Sequence, residues 1–392
     1  MQSWQLPDNI ADVLPTSARR LETTKESLLG LFRSYGYELV VPPLMQYSES
    51  LLVDIDPGLS IKTIRAVDQL TGLQMGLRAD ITPQISRIDA HLLAERKGVN
   101  RLCYAAPVLS AVPASMVSSR EPLQMGAELY GLESAEGDVE LIELMFRCLS
   151  LLGAGDAMLS LGHVGVFQAL AQNAGLDRAG CEELVARIQT KDKPDVEAAC
   201  RKRRLDAETT EAMISLCDLC GGDDTLERAR RELPNLQAVG LALDLLEGVR
   251  ERFADKPCHI DLGELRMDQY HTGLLFSAYG SAWSGSVMRG GRYNGLGKYF
   301  GRSRYATGFS FDLKDFLDMI PENRQSRAIL VDRRDLPKAR ELMDKLRAQG
   351  ESVIADYLSE GPESLGCDRK IVWDESARAY AVRPVEAEGR AR

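Results

Sequence analysis

From Ala169 to Phe253 the chain is dominated by Ala, Leu, Glu and Arg, strand signals vanish, and glycine or proline occurs only as punctuation. Apolar runs that suit strands flank this stretch: Leu102–Leu109, Leu123–Leu132 and Met158–Val166 before it, His259–Leu262 and Gly273–Tyr279 after it. A sheet completed from both sides makes the helical stretch, at about 169–255, an insertion into a larger α+β domain. That needs length, and 392 residues allow one large domain with appendages. No internal repeat is evident.

Upstream, Ser17–Tyr35 sets Leu21, Leu28, Leu31, Phe32 and Tyr35 at helical spacing and stops at Gly36. Tyr37–Val41 suits a strand, which Pro42 and Pro43 end because proline lacks the amide hydrogen that pairing needs. Asp138–Leu152 reads as a helix between two strands. Past the polar stretch Pro321–Ser326, a strand, helix and strand are expected at Arg327–Asp332, Leu336–Ala348 and Ser352–Ala355. The expected division is a body over 1–325 and a small C-terminal α/β unit over 326–392.

Charge narrows the function classes. Lys and Arg number 48 against 58 Asp and Glu, and the net −10 argues against a surface that coats polyanions. The N-terminus shows no basic segment followed by an apolar core. The long uncharged stretch Ala157–Leu176 carries Ser160, His163, Gln168, Gln172 and Asn173, so it reads as a buried strand and helix and not as a membrane span. The expected location is the cytoplasm, where the eight cysteines stay as thiols.

Several local motifs carry little. Cys217 and Cys220 form one Cys-x-x-Cys, a redox pair or half a zinc site, but no second pair stands at zinc spacing, and inert thiols at a helix end capped by Gly221 and Gly222 are expected. The run Arg201–Arg204 reads as RNA contact or as a solvated helix face. The glycine-dense stretch Gly285–Gly301 is no P-loop, since Tyr299 follows Gly297-Lys298 and Arg292 occupies the first glycine position. His91, His163, His259 and His271 have no metal-binding spacing, so neither metal nor cofactor is expected.

The informative segments occur in order: Leu77–Pro83 (LRADITP), Gln124–Gly131 (QMGAELYG), Arg266–Phe276 (RMDQYHTGLLF), Gly290–Leu296 (GGRYNGL) and Gly308-Phe309. This succession resembles the catalytic domain of histidyl-tRNA synthetase, a class II aminoacyl-tRNA synthetase fold, over about the first 320 residues. The resemblance implies an antiparallel sheet of six or seven strands flanked by helices, an inserted helical domain, and a dimer interface formed by the first helix, strand and proline. It places Asp80, Thr82 and Gln124 around an α-amino group, Glu128 and His271 at an imidazole, and Arg266 at a carboxylate, with Tyr270 in the same candidate histidine-binding set. Asp80 stands for the family's glutamate and His271 for a tyrosine, and both departures bear on selectivity. Read without the resemblance, these residues are satisfied polar groups of a core.

The nucleotide side departs further. Where the family has Phe-Arg-x-Glu, this chain has Leu109-Ser110-Ala111-Val112, and Asp315 stands at the arginine that holds distal phosphates. Arg120, Arg266 and Arg292 remain as cations for residual anion binding. About 65 residues follow Arg327, short for the family's anticodon-binding domain.

A synthetase-like body of this kind resembles a paralogous family, the regulatory subunits of ATP phosphoribosyltransferase. That resemblance implies a non-catalytic chain without aminoacylation activity, a hetero-oligomer, and histidine as feedback effector. The implied partner is a short catalytic subunit that joins ATP to phosphoribosyl pyrophosphate in the first step of histidine biosynthesis. Two alternatives stand beside it: an active histidyl-tRNA synthetase with divergent motifs, and a free-standing histidine-binding sensor.

Overall fold

The computed structural model describes residues 4–52, 57–113, 115, 116, 118–265, 271–320 and 328–385. Helix α1 (Pro15–Ser34) has proline in its first turn, where no amide hydrogen is needed, and buries Leu21, Leu28 and Phe32. Gly36, at φ +83°, turns the chain into β1 (Glu38–Leu39). Next come β2 (Met45–Tyr47), α2 (Ser48–Leu51), α3 (Pro57–Lys62), β3 (Arg65–Val67) and β4 (Gln74–Leu77), whose strands form a small sheet in the order β2-β4-β3. Helix α4 (Thr82–Arg87) runs into a π-helical turn at Ile88–Leu92.

The main sheet then begins with β5 (Asn100–Pro107), β6 (Leu123–Tyr130), α5 (Glu136–Leu151) and β7 (Met158–His163). Helices α6 (Val164–Asn173), α7 (Arg178–Gln189), α8 (Lys193–Lys202) and α9 (Ala207–Ser215) follow. After β8 (Cys220–Gly221) come α10 (Asp224–Glu232) and α11 (Gln237–Arg252). The sheet is completed by β9 (Cys258–Asp261), β10 (Leu274–Tyr279), β11 (Ser286–Arg292) and β12 (Ala306–Asp312). Its order is β1-β5-β6-β12-β11-β10-β7-β9-β8. The six strands from β5 to β7 pair antiparallel, while β1 joins β5 and β9 joins β7 in parallel.

The helical run starts at Val164 and shortens the strand expected to reach Val166. His163 is the cause: its Nδ1 accepts the Gly165 amide at 3.0 Å and caps α6. Burial pushes the His163 pKa down to about 4, so the ring stays neutral and keeps its lone pair. Strand β8 is a second departure, because Cys220 pairs with Asp261 across the sheet where a helix end was expected. Leu184, Ile188, Val196, Leu243 and Leu246 of the insertion belong to one apolar core with Met125, Leu161 and Phe309 of the sheet. No described helix is long and apolar enough to cross a membrane.

Arg292 ends β11 inside the protein. Its guanidinium holds Asp138 Oδ2 (Nη2 2.6 Å, Nε 3.1 Å) and donates to the carbonyls of Leu132 (3.0 Å) and Ser134 (2.9 Å), which fixes the start of α5 against the sheet. It is therefore committed to structure and is not a cation left for a phosphate. Burial still raises the Asp138 pKa, outweighing the opposing pull of Arg292.

The chain divides into two compact units, Met1–Pro321 and Glu322–Arg392. The second contains β13 (Ala328–Asp332), α12 (Arg340–Ala348), β14 (Val353–Asp356), α13 (Gly361–Ser364), β15 (Cys367–Asp374) and β16 (Ala379–Pro384), in the sheet order β14-β13-β15-β16. Ile329, Val331, Met343, Val353 and Ile371 form its core. The hairpin β15–β16 lies beyond the strand, helix and strand expected from the sequence. Its turn is fixed by Asp374, whose Oδ1 accepts the amides of Ser376 (3.0 Å) and Ala377 (3.2 Å).

Replacing Asp138 by Ala leaves Arg292 buried without its carboxylate, and urea unfolding is expected to show a loss of about 3–5 kcal/mol. The double change Asp138→Leu with Arg292→Met is expected to recover most of it.

Candidate functional site

Alternation along β6 creates the site. Met125, Ala127 and Leu129 enter the core, so Gln124, Gly126 and Glu128 face the other way, into a cleft of about 1370 Å³. Register extends that face across neighbouring strands: Glu128 lies opposite Gly308 and then Gly291, and Gly126 opposite Ser310, Arg289, Ser277 and Ser160 in turn. Phe167 and Gln168 of α6 and Val185 and Gln189 of α7 form a wall.

The glycines of this floor are clearances. A methyl group at Gly308 would overlap the Glu128 carboxylate, one at Gly126 the Tyr104 phenol, and one at Gly291 the His271 ring. These positions fall in the segments QMGAELYG, GGRYNGL and Gly308-Phe309, whose glycines therefore serve close approach and not phosphate cradling.

Glu128 is 1% exposed. Its Oε1 accepts from Thr82 Oγ1 and from Tyr104 OH, both at 3.1 Å, and its Oε2 from Tyr293 OH. Burial pushes its pKa up to about 8, against the opposing effect of the Tyr293 hydroxyl, while the nearby Asp80 charge raises it further. The hydrogen bonds accommodate the added proton. Tyr293 also bonds Tyr130 OH at 3.1 Å, so its single proton can turn to Tyr130 when Glu128 Oε2 carries one itself.

Asp80 stands beside this network. Gln124 Nε2 donates to Asp80 Oδ1 at 2.8 Å and to Ser310 Oγ at 3.2 Å, while Gln124 Oε1 accepts the Ile81 amide at 3.0 Å. The amide is thus oriented, and Gln124 aims Asp80 as much as it offers an acceptor. Thr82 N also donates to Asp80 Oδ1, at 3.2 Å. His271 is buried and edge-on to Tyr293, with ring centroids 6.5 Å apart. Asp80, Thr82, Gln124, Glu128 and His271 all line the cleft, whereas Arg266 and Tyr270 lie outside the described residues.

Sequence reasoning missed Tyr104, Tyr293, Ser310 and Arg289. Tyr293 stands in GGRYNGL and Tyr104 is a phenol within an apolar strand, which are the signals that mark them. Arg289 and Ser310 become visible only once strand register is known.

Where the family resemblance implies nucleotide contacts, the described residues offer nothing equivalent. Ser110 bridges to Thr63, and Arg120 donates Nε to the Ser110 carbonyl at 2.9 Å. Asp312 is pushed up to about pKa 6 by burial and by the charge of Asp315, an acidic pair that repels phosphate. The Cys-x-x-Cys thiols are unbonded to each other, and burial raises the pKa of Cys217. In the basic run, Arg201 pairs with Glu197, and Lys202 and Arg203 with Glu183. Among the described residues no group of His, Cys, Asp or Glu is arranged to hold a metal.

Fold and site together define a class II aminoacyl-tRNA synthetase-like protein, and the histidyl-tRNA synthetase family model matches residues 9–316. A relative named ATP phosphoribosyltransferase regulatory subunit, from Neisseria meningitidis serogroup C / serotype 2a, is 54% identical over 91% of this chain and 93% of its own length. One of the same name from Laribacter hongkongensis is 46% identical over 98% and 99%. A Bacillus halodurans crystal structure, described as an ATP phosphoribosyltransferase regulatory subunit/histidyl-tRNA synthetase, superposes with TM-score 0.80 at 25% identity over 92% of this chain and 94% of that one. Histidyl-tRNA synthetase from Nostoc sp. PCC 7120 shares the fold, with TM-score 0.77 at 17% identity over 98% and 97%. The chain belongs to the family of ATP phosphoribosyltransferase regulatory subunits.

Between the ordinary carboxyl pKa of 4.5 and about 8, folded Glu128 keeps a proton that the unfolded chain has released. Its contribution to stability therefore falls as pH rises through that window. In urea titrations from pH 5 to 8, wild type is expected to lose stability relative to Glu128→Gln by up to about 1.4 kcal/mol per pH unit. A constant difference would remove the assignment.

Proposed function

We propose that the cleft is a histidine site in a regulatory subunit that performs no catalysis of its own. The observation that carries this is the buried Glu128 carboxyl group, held by Thr82, Tyr104 and Tyr293 beside the Asp80–Gln124 pair. Asp80 suits an α-ammonium group, and Glu128 offers a hydrogen-bonding partner to an imidazole edge. Ser110, Val112 and Asp315 supply none of the groups that would activate an amino acid with ATP. The chain acts in the cytoplasm with a short catalytic subunit that joins ATP to phosphoribosyl pyrophosphate, and histidine favours a less active arrangement of that complex. Such coupling requires unequal affinity for two states, typically 5–150-fold (about 1–3 kcal/mol).

A second copy of the chain completes the assembly in this reading. Val41, Met45, Tyr47, Val67, Leu70 and Leu73, on and around the small β2-β4-β3 sheet and the proline corner, are exposed large apolar side chains. The expected species by light scattering is a dimer. Val41→Asp is expected to shift it toward monomer with unchanged circular dichroism, and a wild-type monomer at micromolar concentration would remove the dimer from the reading.

The complex reconstituted with the catalytic subunit tests the site. Glu128→Ala is expected to weaken histidine inhibition at least about tenfold, or ~1.4 kcal/mol, while retaining stimulation of the partner. Unchanged inhibition in Glu128→Ala and Arg266→Ala would remove the site from the reading. Histidine-dependent pyrophosphate exchange is expected at background, and exchange above it would show an active synthetase.

A further inference from the structure

Arg289 is hard to explain as a structural residue. It lies on β11, a central strand of the nine-stranded sheet, between the buried residues Met288 and Gly290, and is itself exposed toward the cleft. Its guanidinium keeps contact with water and with whatever enters the cleft, and no burial obliges it to take a structural partner. Arg292, three residues on, shows what a structural arginine does here: its donors are taken by Asp138 and two carbonyls. Arg289 differs. Its Nε donates to Ser286 Oγ, and among the described residues no carboxylate lies within ion-pair distance of its guanidinium.

The residues beside it leave that guanidinium room. Ser277 and Ser310 lie directly opposite Arg289 on the two adjacent strands. Their hydroxyls are already used, Ser277 donating to Glu264 at 3.4 Å and Ser310 accepting from Gln124 at 3.2 Å. Neighbouring strands are ~4.8 Å apart, so β11 stands about two spacings from β6, where Gln124 aims Asp80. An arginine side chain covers most of that gap, and an amino acid bound between the two covers the rest. The carboxylate of an α-amino acid is one carbon away from its ammonium group, and a cleft lined by Asp80 and Glu264 would repel it without a cation.

We infer that Arg289 recognises the carboxylate of the amino acid whose ammonium group docks at Asp80, in addition to the Arg266 that the family resemblance places at that group, an inference that rests on the histidine reading above. A guanidinium fork matches a carboxylate through two parallel hydrogen bonds, which a lysine cannot reproduce.

The test is calorimetric titration of the full chain with L-histidine and with L-histidinol, which keeps the ammonium and imidazole and lacks the carboxylate. Wild type is expected to prefer histidine. Arg289→Gln is expected to weaken histidine binding roughly tenfold or more, as for loss of a charge-assisted hydrogen bond, and to leave histidinol binding unchanged. Arg289→Lys is expected to restore part of the preference. Equal weakening of both ligands would mark Arg289 as structural, and unchanged binding of both would remove it from the site; each overturns the inference while the histidine reading stands. Failure of wild type to bind either ligand would overturn that reading and this inference with it.

Discussion

A carboxyl group sealed from solvent must either give up its charge or be surrounded by donors, and Glu128 is built for both. The hydroxyls that hold it come from the first turn of α4, from β5 and from the residue after β11, and its own strand adds a fourth element. These elements are far apart in sequence. Displacing any of them leaves a buried oxygen without its partner, so the network fixes their mutual positions, and the glycine opposite Glu128 is the space that this closeness demands. The cleft is the result of satisfying one buried group.

From that anchor the cleft divides by charge. The half near Glu128 carries oriented polar groups, each with a defined partner, and its acids suit an amine. The other end of β12 carries Asp312 and Asp315, with burial raising both pKa values. Arg292 is neutralised inside the fold and Arg120 reaches backbone carbonyls, so these two of the arginines placed to suggest phosphate binding are structural. The sheet and its insertion thus present a cleft with oriented polar groups, and an acidic pair at the other end of β12.

Much of this was legible in the sequence, and what was not has definable causes. The insertion and four of the six strands of the antiparallel core, β5, β6, β7 and β10, followed from where apolar runs stop and resume, while the antiparallel pairing came from the family resemblance. Strands β11 and β12 did not, because Gly290, Gly291 and Gly308 dilute strand propensity at the positions where the site requires clearance. The hairpin β15–β16 was hidden by alternating charges at Asp368, Lys370 and Arg383, which face solvent on a thin unit. Within the site, Asp80, Thr82, Gln124, Glu128 and His271 could be named from ordered motifs. Arg289 could not, since its importance lies in which residues stand across from it, and register is a tertiary property.

The walls of the cleft give a regulatory subunit a reason to keep a catalytic-type fold. Residues 80–82, 124–128, 164–189 and 271–310 all contribute to the lining, and the insertion shares its apolar core with the sheet. A ligand in such a place touches segments that the chain brings together only through folding. Its binding energy therefore favours whichever arrangement of insertion and sheet grips it best, and the size of that preference sets how far a complex can be shifted. A site on a single surface loop would have much less leverage. Enclosing a substrate for chemistry and registering a bound effector at a distance make the same demand on any fold: walls drawn from several elements, which here surround one buried carboxyl group.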